Sequence, residues 1–325
     1  MRSVTKLIKQ IRNQTENEEF GDFTGINDTE FIQYLNDAQY NLQSIIVAQH
    51  PNVFIKETII TVAPNQQGYN LPSDCFLNNK VNNVEFSATG KEDDYYVLDS
   101  TTIKNRDPGV EGYPNRYIRY NGKILLTPIP SNGGTIKVNY IYRLPELGKR
   151  AAQIGQKTQE VDVEGVPTPT DVDTVVSSSE NFSLTIDNST LPINQDLLSN
   201  YDYFCIVDKE GRFVIKNIEI DTISFNEVIC KPHTLDTGEP FVIPVGSYIV
   251  GGKDTTSHSE LGIETERYLI SYCAWKILKR DSSVDSQEAM AELQQMAQEI
   301  VNSYKVITDD VSFIPDLNSQ DRWIF

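Results

Sequence analysis

The sequence has few of the residues that catalytic and metal sites use most. Its 325 residues include only three histidines and four cysteines. No Cys-x-x-Cys or His-x-x-x-His pair is present, so no local pattern indicates a zinc site. The phosphate loop that ends in Lys-Ser or Lys-Thr and the Gly-x-Ser-x-Gly nucleophile turn are also missing. We therefore predict no catalytic residue, no metal and no cofactor.

Long apolar runs are missing too. None approaches the ~20 residues that a transmembrane helix needs. The N-terminal stretch MRSVTKLIKQIRNQ has neither a continuous apolar core nor a small-residue cleavage site, so we expect a protein without a membrane partner that folds in a cytoplasm. In that reducing compartment the cysteines are expected to be single buried or half-buried thiols: Cys75, Cys205, Cys230 and Cys273.

Positive charge is scarce. The 28 Lys and Arg residues are outnumbered by 46 Asp and Glu residues, which gives a net charge of −18. A surface this acidic repels nucleic acid, so sequence-specific DNA binding is disfavoured. The same charge is compatible with a surface past which DNA slides without binding. Acidic clusters such as Glu92–Asp94 do not match a calcium-binding loop and are interpreted as solvated loops.

Helical periodicity is present near the N-terminus. A short amphipathic helix is predicted over 1–13. A longer helix follows Asn27, which forms a capping-box pattern with Glu30, and Pro51 ends it.

Helical periodicity returns near the C-terminus. A second capping-box pattern, at Ser257 and Glu260, predicts a helix that runs to about residue 280. A last helix follows the break at 280–286, and 306–325 has no helical period and is predicted to be an extended tail. The three histidines, including His258, are expected to be ordinary surface or loop residues.

Strand-like segments lie between the helical regions. Short β-branched runs bounded by turn residues are typical of antiparallel sheets and of small β-barrels or sandwiches. Composition changes at about residue 148, and the polar stretch 148–175 is interpreted as a linker or arm. We predict strands at 53–62, 81–88, 94–98, 182–186, 203–208, 212–220, 227–231, 241–243 and 247–250.

The segment GKILLTPIPSNGGTIKVNYIYRLPEL at 122–147 carries the clearest local pattern. Two strand-like runs flank a turn of Pro, Ser, Asn and Gly, which predicts an antiparallel hairpin. In the second run Ile136, Val138 and Tyr140 share one face, as expected of a half-buried strand. The predicted fold class is α+β, with a helical body from the N- and C-terminal helices, a central antiparallel β-hairpin region and an inserted small β-barrel or sandwich domain.

Three motifs follow one another along the chain: GYNLPSDC at 68–75, the segment 120–147, and the capped helix ELGIETERYLISYCAWKILKR. In this order they resemble the head-to-tail adaptor (connector or tail accessory) proteins of short-tailed phages and the neck ring proteins of crAss-like phages. The first motif is similar to the family's Tyr-x-Leu-Pro-x-Asp turn, and the second to its Gly-x-Ile-x-Leu-x-Pro-x-Pro hairpin. The resemblance covers 1–147 and 259–325, the predicted adaptor body, whereas 148–258 departs from it as an inserted domain.

The resemblance implies a structural virion protein of the neck, assembled in the host cytoplasm, and not an enzyme. Such adaptors form a ring, dodecameric in the known cases, that joins the portal to the tail. The implied partners are further copies of the chain, the portal protein, downstream tail or ring proteins, and genomic DNA that passes without sequence-specific binding. Two docking sets are expected: a portal-docking tail with Phe313, Ile314, Pro315, Trp323, Ile324 and Phe325, and a tail-side hairpin with Pro128, Ile129, Pro130, Asn132 and Gly133.

Two other functions fit parts of the sequence. The β-rich insert, with Tyr201 and Tyr203 as candidate exposed aromatics, would suit a carbohydrate- or receptor-binding tail module. That module predicts glycan binding by an isolated 165–255 fragment and no ring. A hydrolase with dispersed carboxylates is the third hypothesis, and no motif supports it.

Overall fold

The computed structural model divides the chain into two compact units. The first unit contains 1–39 and 145–296, and the second contains 40–144 and 297–325. The predicted insert boundaries at 148 and 258 both fall inside the first unit, and the inserted domain stays a prediction. The residues that the structure describes are 2–15, 26–78, 80–106, 109–155, 174–176, 181–233, 241–280 and 286–312.

The N-terminal helices form where the periodicity predicts them. The predicted apolar stripe of α1, which includes Leu7 and Ile11, is buried. At the start of α2 the Asn27 Oδ1 accepts the N–H of Glu30 (2.8 Å), so the predicted cap is confirmed. No helix in the described residues is long and apolar enough to cross a membrane. The α-helices are α1 (Val4–Thr15), α2 (Asp28–Gln49), α3 (Gln195–Leu198), α4 (Glu266–Arg280) and α5 (Ser286–Ser312).

Two helix boundaries near the C-terminus differ from the prediction. A 3-10 turn at Ile263–Thr265 precedes α4, so the predicted helix start after Ser257 is wrong. The last helix continues to Ser312, so 306–312 of the predicted tail is helical. No proline or glycine interrupts the chain before Pro315, which explains why the helix does not end earlier.

Most of the predicted strands are present. The strands are β1 (Ile55–Val62), β2 (Gly68–Asn70), β3 (Val81–Ser87), β4 (Tyr96–Val97), β5 (Asp99–Thr101), β6 (Glu111–Gly112), β7 (Arg116–Tyr120), β8 (Lys123–Thr127), β9 (Ile129–Pro130), β10 (Gly134–Ile141), β11 (Glu146–Leu147), β12 (Arg150–Gln153), β13 (Thr174–Val176), β14 (Phe182–Thr185), β15 (Tyr203–Val207), β16 (Phe213–Ile223), β17 (Glu227–Cys230), β18 (Phe241–Ile243), β19 (Tyr248–Gly251) and β20 (Thr255–Thr256).

Two four-stranded sheets build the second unit. One has the order β1-β10-β3-β4 and the other β2-β8-β7-β5, and a two-stranded ladder joins β6 to β9. Alternating side chains from both sheets share one apolar core. Its fully buried members include Val84, Ile124, Leu126, Ile136 and Val138.

The predicted hairpin over 122–147 is wrong. The strand β8 pairs with β2 and β7, whereas β10 pairs with β1 and β3, so the two runs belong to different sheets. The tight hairpin instead joins β7 to β8 through Asn121 and Gly122, whose φ angles are 47° and 69°. An Asn-Gly pair suits a two-residue turn that needs two positive φ angles. Pro128 and Pro130 lack an N–H, and the segment between β8 and β10 pairs only through the short strand β9, with β6.

The largest sheet lies in the first unit, with the order β12-β19-β15-β16-β17-β14. Its two edge strands approach each other where Ile154 forms an antiparallel bridge with Ile186. Beside this bridge the N–H of Gly155 donates to the carbonyl of Thr185 (2.9 Å). The sheet is a half-barrel, and the predicted small barrel or sandwich is not confirmed.

The first part of the predicted polar arm forms an edge strand of the half-barrel. The strand β12 spans Arg150–Gln153, and Ala151 and Ala152 are fully buried. A linker interpretation is therefore wrong for these residues, because the two alanines belong to the apolar core of the sheet. Residues 156–173 of the arm lie outside the described residues.

Candidate docking surfaces

The predicted tail-side residues lie in the 128–133 segment, which connects the two four-stranded sheets. Backbone hydrogen bonds hold it in place, since Asn65 donates to the carbonyl of Pro130 (2.7 Å) and β9 pairs with β6. Pro130 is buried and Asn132 is exposed at the tip. The other predicted members are half-buried: Pro128, Ile129 and Gly133.

Large apolar side chains are exposed beside this segment. Val110 is 50% exposed and Tyr113 is 62% exposed. The carbonyl of Val110 accepts the N–H of Ile129 (2.8 Å), and the hydroxyl of Tyr96 donates to the carbonyl of Pro114 (2.7 Å). We call Tyr96, Val110 and Tyr113 the Tyr113 patch. The sequence analysis missed it, although a Val and a Tyr in a polar, glycine-containing loop are a usable signal.

The predicted portal-docking residues, Phe313 to Phe325, all lie outside the described residues. The helix α5 leads to them and ends at Ser312. Their role as a docking tail therefore stays a prediction.

Two residues of the GYNLPSDC motif bind the sheets of the second unit. Tyr69 is 4% exposed, and its hydroxyl donates to the carbonyl of Gln66 (2.9 Å). The carboxylate of Asp74 accepts hydrogen bonds from the Tyr140 hydroxyl (2.8 Å) and the Lys56 ammonium (2.7 Å). Tyr140 is 1% exposed, so this bond satisfies a hydroxyl that would otherwise be buried alone. The motif thus fixes its turn against β1 and β10.

The pKa values of this network follow from its bonds. Burial raises the pKa of Asp74, but the hydrogen bonds from Lys56 and Tyr140 outweigh burial and leave that pKa below its ordinary value. Burial, followed by the bond to Asp74, raises the pKa of Tyr140. At neutral pH the carboxylate is therefore ionised and the phenol donates to it. The motif alone does not indicate this contact, because Asp74 and Tyr140 are far apart in the sequence.

The chain enters and leaves the half-barrel at neighbouring positions. There β11 pairs in parallel with β20. On α2, Asn36 donates to the carbonyl of Leu147 (3.2 Å) and accepts its N–H (2.7 Å). The buried side chain of Gln39 donates to the carbonyl of Pro145 (2.8 Å) and accepts from Ser259 Oγ (2.6 Å). Entry and exit points that lie side by side are what an inserted domain requires.

A buried polar cluster follows β20. His258 is 8% exposed, and its Nδ1 lies 2.9 Å from Ser257 Oγ. Arg150 donates through Nε to the same Oγ (3.2 Å), and its guanidinium carbon lies 3.7 Å from the ring centroid of Tyr248. A Cβ at Gly211 would overlap the imidazole, so the turn after β15 packs directly on His258. His258 lies in a loop, which was one of the two predicted settings, but it is buried in this cluster and does not lie at the surface.

The environment of His258 keeps the imidazole neutral. Burial, with the positive charge of Arg150, lowers the pKa of His258 to about 4. The imidazole therefore carries no charge at neutral pH and can exchange a hydrogen bond with Ser257. This arrangement is structural, and it joins β12 to the segment before α4.

The described residues contain neither a cluster of His, Cys and carboxylate ligands nor an activated thiol. No group of three or more His, Cys, Asp or Glu side chains there could hold a metal ion. Burial raises the pKa of all four thiols, which makes them poor nucleophiles. The prediction of buried single thiols is confirmed for Cys75, Cys205, Cys230 and Cys273.

The two aromatics proposed for carbohydrate binding are engaged by neighbouring groups. Tyr201 is 37% exposed, as predicted, and one part of its ring lies against Gly251, where a Cβ would overlap it. Tyr203 is half-buried, and the ammonium of Lys253 lies 3.9 Å from its ring centroid. These rings do not by themselves indicate a sugar site.

A known protein family matches part of the chain. The family model described as SU10 adaptor protein matches residues 2–153, a range that contains GYNLPSDC and the 128–133 segment. No curated protein matches the chain. The family match supports a phage adaptor, and it does not single out the ring proteins of crAss-like phages. Over residues 2–153 the chain is similar to phage adaptor proteins of the SU10 family.

Proposed function

We propose that the protein is a head-to-tail adaptor, a ring subunit that joins the portal to the tail of a phage and lines the DNA channel. The observation that carries this proposal is the match of the SU10 adaptor model to residues 2–153. That range contains α1, α2 and the strands β1 to β12, so the match includes both sheets of the second unit and stops at the first strand of the half-barrel. A ring with the copy number of the known adaptors, twelve, is part of the proposal.

The 128–133 segment and the Tyr113 patch support a contact with downstream tail or ring proteins. The segment is pinned by the bond from Asn65 to Pro130, and a pre-organised surface loses less conformational entropy on binding. The patch adds exposed apolar side chains, which mark protein interaction surfaces. The proposed portal contact uses the C-terminal residues Phe313, Ile314, Pro315, Trp323, Ile324 and Phe325.

The charge of the chain suits a DNA channel. Each subunit carries a net charge of −18, so a ring of subunits repels the DNA backbone and lets the genome pass without adhering. Two of the basic residues near the N-terminus are bound to carboxylates, Arg2 to Glu266 and Arg12 to Asp28. We therefore do not propose the N-terminal helix as a DNA contact.

The test is the mass of the full-length protein in solution, alone and mixed with portal assemblies of the same phage. Light scattering and native mass spectrometry are expected to give a closed ring, either alone or only with the portal. A monomer that does not bind the portal would contradict the proposal.

A truncation tests the tail contact separately. Removing 313–325 leaves all of α5 and is expected to weaken portal binding while the fold, checked by circular dichroism, is unchanged. The control is Tyr120→Ser, which alters an exposed residue outside both the tail and the Tyr113 patch. Equal portal binding by the truncated and full-length proteins would remove the tail from the proposal and leave the ring to be judged by mass.

A further inference from the structure

A polar pocket lies where the edge strands of the half-barrel meet. Gln153, Asp187 and Asn188 line it, together with Gly155 and Gly246. Gln153 is the last residue of β12 and is 8% exposed. Its carbonyl accepts the N–H of Asp187 (2.8 Å), so the backbone itself brings the two chain segments to one place.

Two amide oxygens there are buried without a hydrogen-bond partner in the described part of the chain, Gln153 Oε1 and Asn188 Oδ1. The amide nitrogens of the same side chains are used. Gln153 Nε2 donates to the carbonyl of Gly246 (3.2 Å), and Asn188 Nδ2 donates to Asn226 Oδ1 (2.5 Å). These bonds orient both amides and leave the two amide oxygens without a donor. A buried acceptor without a donor is unfavourable, so two of them in one pocket point to a bound group that supplies positive charge or donors.

The remaining polar groups of the pocket also favour such a group. The N–H groups of Gly155, Asp187 and Gly246 are each bonded to a backbone carbonyl of the sheet. Asp187 adds a carboxylate, and hydrogen bonds from Ser189 and Thr190 hold its pKa below the ordinary value. The pocket is therefore lined by two unpartnered amide oxygens and by the ionised residue Asp187, whose carboxylate also accepts hydrogen bonds from Ser189 and Thr190.

We propose that this pocket binds a compact cation through oxygen atoms. A hydroxyl-rich ligand needs both donors and acceptors from the protein, whereas a cation needs acceptors only. Calcium ions take carboxylate and amide oxygens and complete their shell with water. A primary ammonium presents three donors and no acceptor, which matches Gln153, Asp187 and Asn188. The site does not depend on the adaptor role proposed above.

Calorimetric titration of the full-length chain, freed of metal with a chelator, tests the site and separates its two sources. Calcium chloride, magnesium chloride and methylammonium chloride are titrated in turn. Saturable binding of one ion per chain is expected from calcium chloride, from methylammonium chloride or from both. Binding of calcium alone identifies a metal site, and binding of methylammonium alone identifies an ammonium site. No saturable binding of any of these cations would overturn the proposal and leave the two oxygens to ordered water.

A matched pair of variants locates the binding. Asn188→Asp adds a carboxylate inside the pocket, and Asn52→Asp makes the same change at an exposed position of the second unit. Asn188→Asp is expected to strengthen binding of the cation by about tenfold, because a charge in contact acts far more strongly than a distant one. Asn52→Asp is expected to leave the affinity unchanged. Gln153→Met removes a ligand at nearly constant volume and is expected to weaken binding, with circular dichroism to check the fold. Equal affinities for Asn188→Asp and Asn52→Asp would refute the location.

Discussion

The four-stranded sheet that contains β10 and the six-stranded half-barrel differ in the regularity of their ladders. Along β1 every residue pairs with β10 without a break, and the β10–β3 ladder shifts register once, beside Tyr140. In the half-barrel three ladders shift register: β12–β19, β15–β16 and β16–β17. One of these shifts includes Asn217, whose φ of 58° suits an asparagine. Because bulges bend and twist a strand, they account for the curvature that brings Ile154 to Ile186.

The two sheets also differ in what they bury. The four-stranded sheet holds polar groups inside, since Tyr140 is bonded to Asp74 and Lys137, 7% exposed, is bonded to Glu92 (2.6 Å). The half-barrel core is apolar, with Phe204 and Ile218 among its fully buried members. A hydrogen bond accepts one geometry, whereas apolar side chains accept several packings of equal volume. Tyr140 and Lys137 therefore add bonds of defined geometry to the first sheet, whereas the core of the second depends on apolar packing.

The largest expected change in the free energy of unfolding comes from a cavity in the apolar core of the half-barrel. Phe204→Ala removes a fully buried ring and is expected to lower the free energy of unfolding by about 3–5 kcal/mol. Urea denaturation followed by circular dichroism measures it. The matched control is Phe225→Ala, because Phe225 is 66% exposed and its loss is expected to cost less than about 0.5 kcal/mol. Equal losses for both variants would mean that the apolar core does not determine the stability of this sheet.

The polar network of the four-stranded sheet is expected to give the next effect. Asp74→Ala leaves the Tyr140 hydroxyl buried without its acceptor, so the free energy of unfolding is expected to fall by about 3 kcal/mol. Tyr140→Phe removes the hydroxyl itself and is expected to cost only about 1 kcal/mol. A double-mutant cycle measures the coupling between the two residues, and additive losses would argue against the network.

Acid is expected to lower the free energy of unfolding through the buried cluster of His258, Ser257 and Arg150. The pKa of His258 is lowered from 6.5 to about 4, so the unfolded chain binds a proton that the folded chain excludes between these values. Stability is therefore complete above about pH 6.5 and falls by about 2 kcal/mol as the pH drops to about 4. Urea unfolding at several pH values measures this loss.

The control for the acid effect is His258→Gln, which cannot bind that proton. Its stability is expected to be lower at neutral pH but flatter between pH 6.5 and 4. The carboxylate of Asp74 loses its contribution only at lower pH, because its pKa lies below its ordinary value and its share is present above about pH 4. An equally steep acid loss in His258→Gln would assign the effect to other groups.

The same contrast explains what the sequence could predict. Helices such as α1 were predictable because Leu7 and Ile11 repeat at a local period, and strands were predictable because alternation is local. The partners of a strand are not local. The Pro-rich stretch after β8 resembled a turn, whereas the two-residue turn that pairs strands is Asn121–Gly122.

Hydrogen bonds between side chains could not be predicted from the sequence either, because their partners are also distant along the chain. Asp74 and Tyr140 lie 66 residues apart, and no spacing in either segment indicates their bond. Ser257 is of a residue type that often caps helices, but its hydroxyl accepts a hydrogen bond from Arg150 instead. The two residues are 107 positions apart in the sequence. The docking role of the 128–133 segment stays a prediction. Tyr113 was not predicted, because the composition of a loop does not show which of its side chains the fold leaves exposed.

The smallest effect on stability is expected at the Tyr113 patch, where it separates folding from binding. Tyr113→Ser should change the free energy of unfolding by less than about 0.5 kcal/mol, because the side chain is 62% exposed. If the patch contacts a downstream tail or ring protein, the same variant weakens capture of that protein by the assembled ring in a sedimentation assay. Tyr120→Ser is the control, since Tyr120 is 52% exposed in the β7–β8 hairpin of the same unit. Equal loss of capture in both variants would indicate a general surface effect, and loss in Tyr113→Ser alone assigns the contact to the patch.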